Sequence, residues 1–334
     1  MIGLIDVDSK IPNLALMKLS TYYKSIGETV EFVQEGKEYE KIFASAIFTR
    51  SKSICEDLTN KYEDKIEIGG TGWDIKKTLP DEIEKLRPDY ELYSIEEIAS
   101  RMKGIGTKEH KRKKAKEIVE AGMGYTSRGC VRNCGFCFVP EKEGEFHDVA
   151  EISDLLNPKS NVLILHDNNF TADPYCIDKL KEIKERKLKV DINQGCDVRL
   201  MTDEKAYWLG QVKHLRSLHY AWDLMGHERK VLEGIETLSK HVKKYKHMCF
   251  MLVGYNTTFE EDMYRFRTLT SLKVDPFVMV YNQIPDLRLK HFARWVNSRI
   301  YKKCTNFEEY GPWVKAQVKY NQLTFFGYET ITVD

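Results

Sequence analysis

The chain of 334 residues carries three cysteines, Cys130, Cys134 and Cys137, within one short run from Tyr125 to Pro140. Their spacing is C-x3-C-x2-C, and no fourth cysteine stands nearby. Thiolates are the ligands of iron–sulfur clusters, and such close spacing lets one loop supply three of them. This set therefore suits a cubane [4Fe-4S] cluster with one iron left open.

The cysteines allow two other interpretations. Structural zinc prefers four protein ligands in a closed tetrahedron, and His147, ten residues after Cys137, is a distant candidate for the fourth. The paired C-x2-C motifs of zinc ribbons are absent from the run. Free cysteines can also be ordinary buried residues, but the glycine-rich, basic surroundings are atypical of a core strand. The sequence favours the cluster and leaves zinc as the alternative.

The spacing, with the aromatic Phe136 directly before the last cysteine, resembles the signature of the radical S-adenosylmethionine (SAM) superfamily. The resemblance implies that Cys130, Cys134 and Cys137 hold the cluster and that SAM chelates its open iron through its amino and carboxylate groups. It further implies reductive cleavage of SAM to methionine and a 5′-deoxyadenosyl radical, which abstracts hydrogen from a substrate. An electron donor such as flavodoxin or ferredoxin would be a partner.

The composition indicates a globular protein, with 42% apolar and 31% charged residues. The formal net charge is only +1, so no global field draws the chain to nucleic acid or to a membrane. No apolar run approaches the roughly 20 residues of a membrane span, and the first residues lack the pattern of a secretion signal. The other five cysteines are scattered rather than paired, so we expect a reducing, cytoplasmic location.

Residues 1–75 alternate between predicted strands and helices, which is typical of a small doubly wound, Rossmann-like α/β domain. We expect strands near 2–7, 30–33, 41–49 and 65–68, and helices near 12–26 and 54–62. Such a domain resembles the cobalamin-binding domain of some radical SAM enzymes, whose Asp-x-His-x-x-Gly motif ligates cobalt. The matching stretch, Thr49–Cys55, contains no histidine. We therefore expect a degenerate domain, with cobalamin unlikely as a cofactor.

Residues 76–122 form a predicted connector that contains a basic segment, residues 103–116. One interpretation of this segment is a solvated loop or helix face. The other is an element that contacts phosphates, which would imply a nucleic acid or nucleotide substrate.

From residue 123 to 290 strands and helices alternate again, which predicts a curled parallel sheet. This matches the partial (β/α)6 barrel of the radical SAM superfamily, in which catalytic groups lie at the carboxyl ends of strands. The expected strands span 161–166, 188–193, 217–222, 248–253 and 277–281, and the expected helices 176–186, 203–209, 228–244 and 259–272. The C-terminal extension, residues 291–334, is rich in aromatic and basic residues. It either packs over the open side of the barrel or forms a stacking surface for single-stranded nucleic acid.

Polar residues follow the predicted strands. Asp167 and Asn168 follow the second strand of the barrel, at a position that resembles the superfamily's motif for the SAM amino group, and their side-chain oxygens can accept hydrogen bonds from it. The alternative is that they belong to a cluster that caps a helix N-terminus.

After the third strand, Arg199 presents a planar fork that suits the SAM carboxylate, and Asp197 or Gln194 could bind a ribose hydroxyl. An interior ion pair between Arg199 and Asp197 is the alternative. Cys196 is the one further cysteine placed to join the chemistry, although a small buried filler residue is the simpler interpretation.

The later strand ends add three candidates, Asp223, Gly254 and Tyr281. Asp223 follows the fourth strand, where related enzymes have a ribose- or substrate-facing residue. Gly254, after the fifth, lies in a segment that resembles the superfamily's glycine-centred adenine-contacting segment, where a glycine lets the backbone approach the ring. The resemblance assigns the backbone of Phe136 to the same ring, and Tyr281 ends the sixth strand facing the same cavity.

The sequence thus predicts a radical SAM enzyme that modifies either a nucleic acid or nucleotide, or a peptide or small molecule. The alternative is a zinc-stabilised, non-catalytic nucleic-acid-binding protein.

Overall fold

The computed structural model describes residues 1–103 and 106–317. The chain forms two compact units, the first comprising Met1–Gly195 with Gln211–Arg216, and the second comprising Cys196–Gly210 with the chain from Ser217 onward. Parallel sheets in both units make this a mixed α/β protein. No helix among the described residues is both long and apolar enough to cross a membrane.

The elements of the first unit follow one another as strands β1 to β10 and helices α1 to α8. They are β1 (Ile2–Asp6), α1 (Leu14–Ser25), β2 (Val30–Phe32), β3 (Lys41–Ser45), α2 (Lys52–Tyr62), β4 (Ile66–Gly69), α3 (Asp81–Glu84), α4 (Ile95–Arg101), α5 (Lys108–Val119), β5 (Gly122–Gly124), β6 (Ser127–Arg128), α6 (Val139–Glu143), β7 (His147–Asp148), α7 (Ile152–Leu155), β8 (Val162–Leu165), α8 (Cys176–Glu185), β9 (Lys189–Ile192) and β10 (Lys213–His214).

The second unit continues with α9 (Asp203–Gln211), β11 (Leu218–Ala221), α10 (Glu228–Ser239), β12 (His247–Val253), α11 (Phe259–Ser271), β13 (Asp275–Val280) and α12 (Leu287–Asn297). Nearly every strand and helix expected from the sequence has a counterpart within a few residues. The helix expected over 228–244 is shorter and ends at Ser239, because the chain then turns to bury Val242.

The first sheet has the strand order β2-β1-β3-β4, and all of its strands are parallel. Helix α1 packs on it through Leu16 and Leu19, which share a core with Ile2, Leu4 and Phe43. The side chain of Asn13 accepts from the backbone N–H of Leu16 at 3.3 Å and so caps the start of this helix. The strands and helices expected in residues 1–75 are confirmed, with a parallel sheet between them.

The carboxyl edge of the first sheet is filled by the chain itself. Gly70 has a φ of +97°, and a Cβ there would lie 2.2 Å from the carbonyl oxygen of Ala46. A Cβ on Gly72 would lie 2.5 Å from the backbone of Phe48. The Asp8 carboxylate accepts from the backbone N–H groups of Ile47 and Phe48, at 2.8 and 2.9 Å. The turn after β4 therefore packs directly on the loop after β3.

The basic segment lies largely on helix α5. Its Ala115, Ile118 and Val119 side chains are buried in a core with residues of α4 and β8, while the lysines lie on the remaining face. Glu109 and Glu117 are exposed among these lysines, so the outer face is predominantly basic with two acidic residues. This part of the segment is an amphipathic helix whose outer face meets solvent.

The second sheet of the first unit has the order β10-β9-β8-β5, again fully parallel. Four consecutive residues of β8 are buried, as expected of a strand covered on both faces. The second unit contains a third parallel sheet, β11-β12-β13. The strands expected for a six-unit partial barrel are thus distributed over two sheets, one in each unit, and the curled, partial-barrel arrangement stays a prediction.

The aromatic residues of the C-terminal extension pack together in the second unit. The rings of Phe307 and Trp313 stack at 5.6 Å, and Phe307 also contacts Phe292 and Trp295. All four side chains are buried. This confirms an aromatic-rich cluster in the described part of the extension. The extension also contains Tyr320, Phe325, Phe326 and Tyr328, which lie outside the described residues.

Candidate functional site

The three cysteines lie on one loop, residues 129–146, called here the cysteine loop. Its base is closed by the antiparallel pairing of β6 with β7, where Arg128 stands opposite His147. Gly129 has a φ of +75°, and a Cβ at this position would lie 2.1 Å from the carbonyl oxygen of Glu145. Only glycine fits where the two ends of the loop cross.

All three thiols of the loop are half-buried, whereas four of the other cysteines, Cys55, Cys176, Cys196 and Cys249, are buried. The backbone N–H of Cys137 donates to the carbonyl of Cys134 at 2.9 Å, which forms a turn between them. No group of three or more His, Cys, Asp or Glu side chains in residues 1–103 and 106–317 is arranged to hold a metal ion. The loop therefore brings the thiols into one segment without showing a formed metal site.

A buried ion network anchors the cysteine loop. Arg128 donates to Glu84 of α3 from Nε and Nη2, at 3.1 and 2.8 Å, and from Nη1 to both oxygens of Glu143, at 3.0 and 2.9 Å. Glu84 also accepts from Lys18 of α1 at 3.0 Å. The guanidinium lies 3.8 Å from the centre of the Tyr125 ring. Arg128 and Glu143 flank the cysteines, so their pairing holds the two sides of the loop together.

Asp167, directly after β8, ties this strand to the start of the cysteine loop. The side chain is fully buried, and its Oδ1 accepts from the backbone N–H groups of Thr126 and Ser127, both at 2.6 Å. Its Oδ2 accepts from the hydroxyl of Thr126 at 2.9 Å. Burial raises the pKa of Asp167 to about 6, against the opposing effect of these hydrogen bonds. Binding of the SAM amino group by this carboxylate stays a prediction.

Asn168 and Asn169, the next two residues, differ in the contacts of their side-chain amides. Oδ1 of Asn168 is buried and accepts no hydrogen bond from any described residue. Nδ2 of Asn169 lies 3.5 Å from Sγ of Cys130, and the Asn169 side chain is buried. The sequence reasoning missed Asn169. Its signal was its place in the polar run that follows a fully buried strand.

The end of β9 adds a second set of polar groups beside β8. Nδ2 of Asn193 lies 3.3 Å from Nδ1 of His166, whose ring lies 5.7 Å from that of Tyr125. Burial, and secondarily the charge of Arg128, lowers the pKa of His166 to about 4, so the imidazole is neutral at physiological pH. Gln194 is exposed. The carboxyl ends of β5, β8 and β9 and the cysteine loop thus meet at one edge of the second sheet.

In the second unit, Arg199 is engaged by its neighbours. Its Nε and Nη2 donate to the two oxygens of Asp197, at 2.7 and 3.0 Å, and Nη1 lies 3.0 Å from Nδ1 of His227. This is the ion pair that the sequence offered as the alternative. Arg199 as a ligand of the SAM carboxylate, and Asp197 as a ribose ligand, stay predictions.

Asp223 and Cys196 each make a hydrogen bond to a strand of the third sheet. Oδ1 of Asp223 accepts from the backbone N–H of Leu252 at 3.0 Å, and burial raises the pKa of Asp223. Cys196 is buried, and its backbone N–H donates to the carbonyl of His219 at 2.8 Å. Asp223 therefore binds β12 through its side chain, and Cys196 binds β11 through its backbone.

Gly254 and Tyr281 lie where β12 and β13 end. Gly254 has a φ of +78°, which explains the glycine without reference to a ligand. The Tyr281 ring packs edge-on against Tyr255 at 4.8 Å, an aromatic pair that the sequence reasoning did not anticipate. Phe136, in the first unit, is half-buried within the cysteine loop.

Neither a family model nor a curated protein matches the chain. Among solved structures it is similar to SuiB of Streptococcus suis bound to the precursor peptide SuiA, with 14% identity, a TM-score of 0.38 and 60% of this chain covered. It is similar also to SuiB bound to S-adenosylmethionine, with 13% identity, a TM-score of 0.36 and 61% covered. The chain spans about half of each SuiB chain, 52%. A likeness this weak establishes no shared activity, so the proposed function rests on this chain's own residues.

Proposed function

We propose that this protein is a radical SAM enzyme that holds a [4Fe-4S] cluster on Cys130, Cys134 and Cys137. The observation that carries the proposal is the C-x3-C-x2-C run on a single loop with three half-buried thiols. When bound and reduced, the cluster supplies the electron that cleaves SAM to methionine and a 5′-deoxyadenosyl radical, which abstracts hydrogen from the substrate.

The donor set fits this cofactor better than it fits structural zinc. Three thiolates leave one corner of a cubane for a small-molecule ligand, whereas a structural zinc site requires a fourth protein ligand. His147, the candidate for that role, is exposed, and its Nδ1 lies 2.9 Å from the carbonyl oxygen of Glu145. The nearby Oδ1 of Asn168 is buried without a partner among the described residues, as expected of an acceptor that awaits a ligand.

In this proposal the chain's own residues bind, orient and exclude water. Asn168 accepts from the amino group of SAM, and Asp167 keeps the start of the cysteine loop against β8. Residues at the other strand ends keep the roles expected from the sequence as hypotheses: Arg199 for the carboxylate, Gln194 and Asp197 for the ribose, Phe136, Gly254 and Tyr281 for the adenine, and Asp223 and Cys196 for the substrate.

We further propose that the enzyme works without cobalamin. Residues 1–100 contain no histidine that could ligate cobalt. The carboxyl edge of the first sheet, where doubly wound folds bind ligands, is filled by the close packing of Gly70 on Ala46 and of Gly72 on Phe48. The domain then serves as a support rather than as a cofactor site.

The test is anaerobic purification and reconstitution. We expect a brown protein with about four irons per chain that releases 5′-deoxyadenosine when SAM and dithionite are added. Cys134→Ser should lose the cluster and the activity. Cys304→Ser, which alters a half-buried cysteine outside the loop, is the matched control and should retain both. A colourless protein with one bound zinc would instead support the zinc-stabilised nucleic-acid-binding alternative.

The proposal covers two classes of substrate, nucleic acids or nucleotides and peptides or small molecules. Comparative profiling of nucleosides and metabolites in a deletion strain distinguishes them. Flavodoxin or ferredoxin is the proposed electron donor, and replacing dithionite by either reduced protein tests that partner directly.

A further inference from the structure

Asn169 is the described side chain whose amide group reaches the sulfur of Cys130. We propose that Asn169 sets the reduction potential of the cluster by donating a hydrogen bond to this sulfur, an inference that rests on the proposed function. Asn169 is a positioning residue in this proposal, since it acts through Cys130 and not on the substrate.

The orientation of the Asn169 amide follows from its surroundings. Its Oδ1 accepts from the backbone N–H of Ala172 at 3.2 Å and so caps the 3-10 turn Phe170–Ala172. Exchanging the amide nitrogen and oxygen would place an NH2 group against this N–H, with two donors facing each other. Nδ2 must therefore be the atom directed at Sγ of Cys130, 3.5 Å away.

A second donor approaches the same sulfur from within the loop. The backbone N–H of Arg132 lies 3.4 Å from Sγ of Cys130, in a turn that includes the cysteine itself. Asn169 comes instead from the end of β8, 39 residues away along the chain. Because the Asn169 side chain is 7% exposed, water does not readily replace its amide if it is removed.

Hydrogen bonds to cluster sulfurs and ligand thiolates stabilise the more negative, reduced state. Reduction adds one electron from the reductant, and no bond forms or breaks at Cys130. A donor directed at Sγ in a shielded place therefore makes reduction easier and raises the midpoint potential. Without it, the same electron transfer needs a stronger reductant.

The experiment compares midpoint potentials of the reconstituted full-length protein, by redox titration followed by electron paramagnetic resonance, without SAM or substrate. Asn169→Leu removes the donor and should shift the potential to a more negative value. Asn169→Asp keeps the acceptor for Ala172 and adds a negative charge, so it should shift the potential further the same way. Asn161→Leu, at the exposed amino end of β8, is the matched control and should leave the potential unchanged.

Equal potentials in all four proteins, each with a full cluster, would overturn the role of Asn169 and leave the proposed function standing. Loss of the cluster from Asn169→Asp would overturn it as well, because the residue would then be needed for assembly and not for tuning. Absence of a cluster from the unaltered protein would count against the proposed function itself.

Discussion

The two sheets of the first unit have the same size and the same parallel arrangement, yet their carboxyl edges differ. At the first sheet, Gly70 and Gly72 pack against the neighbouring loop, and Asp8 occupies two of its backbone N–H groups. At the second sheet, a loop with three half-buried thiols meets a run of polar residues, one of which has a buried oxygen without a partner among the described residues. Both edges have the position at which parallel sheets bind ligands, and of the two it is the second that has, among the described residues, a buried acceptor without a partner, Oδ1 of Asn168.

The first sheet has a different use, because it supports the second edge. Lys18 and Glu84 belong to α1 and α3, which pack beside the first sheet, and Glu84 pairs with Arg128 at the base of the cysteine loop. Nζ of Lys142, within that loop, donates to the hydroxyl of Thr71 in the turn after β4 at 2.8 Å. Contacts from the helices and the turn of the first sheet thus help to hold the cysteine loop in place.

The largest effect is expected from breaking this support. Arg128→Met removes the guanidinium shared by Glu84 and Glu143, and these largely buried carboxylates keep only Lys18 and Lys142, so the free energy of unfolding should fall by about 3–4 kcal/mol. The matched control is Arg186→Met, which breaks the exposed pair with Glu182 on α8 and should cost about 0.5 kcal/mol or less. Denaturant titration measures both. Equal effects would show that the cysteine loop does not depend on this network.

A smaller loss is expected when the first edge is forced open. Gly70→Ala places a methyl group against the carbonyl of Ala46 in addition to straining a positive φ, and should cost about 3 kcal/mol. Gly36→Ala has a φ of +81° and no atom within 4 Å of the added Cβ, so it should cost only about 1 kcal/mol. Thermal melts of both variants separate packing from backbone strain. A Gly70→Ala protein as stable as Gly36→Ala would mean that the edge is open after all.

One substitution made at both edges sharpens the comparison further. Asn13→Leu removes hydrogen bonds to Ser9 and Ser45, at 3.0 and 2.9 Å, together with the cap of α1, and should cost about 2 kcal/mol of stability. Asn168→Leu removes an oxygen that has no internal partner, so stability should change by no more than about 0.5 kcal/mol. Its affinity for SAM, measured by calorimetry on the reconstituted protein, should instead fall about tenfold or more. An unchanged affinity would show that Asn168 does not bind SAM.

The last effect is a pH dependence that belongs to the second edge alone and is confined to acidic pH. The pKa of His166 is lowered to about 4 from 6.5, so between these values the unfolded chain binds a proton that the folded chain does not. The contribution of His166 to stability should therefore rise as the pH increases through this window and level off above it. Asp167, whose pKa is raised, contributes with the opposite sign. The difference in unfolding free energy between the unaltered protein and His166→Gln isolates the histidine, and a flat difference would refute its lowered pKa.

Local patterns allowed the elements of this fold to be predicted from the sequence. The helix Phe259–Ser271 has a capping box, in which Thr258 and Glu261 reciprocally bond each other's backbone N–H groups, and its predicted bounds differ by a single residue. β8 is a continuous apolar run with polar neighbours, so both the strand and the functional importance of its end could be read directly. The cysteine spacing is likewise a local signal.

Contacts between distant residues left no such pattern. Arg128 contacts Glu84, 44 residues away in sequence, and Asn169 contacts Cys130, 39 residues away. Residue types alone do not predict which side chains pair over such separations. Arg199 illustrates the opposite difficulty. Its pairing with Asp197 is as local as a signal can be, but the residues alone did not tell an internal ion pair from a ligand-binding fork.

The closed base of the cysteine loop has a consequence for how the protein would acquire its metal. The ladder of β6 and β7 and the pairing of Arg128 with Glu143 are made by residues other than the three cysteines. Zinc fingers unfold when their metal is removed. This chain, in contrast, should keep its circular dichroism spectrum and its cooperative thermal unfolding after exhaustive chelation. The chain would then fold first and bind iron afterwards, in a reversible step.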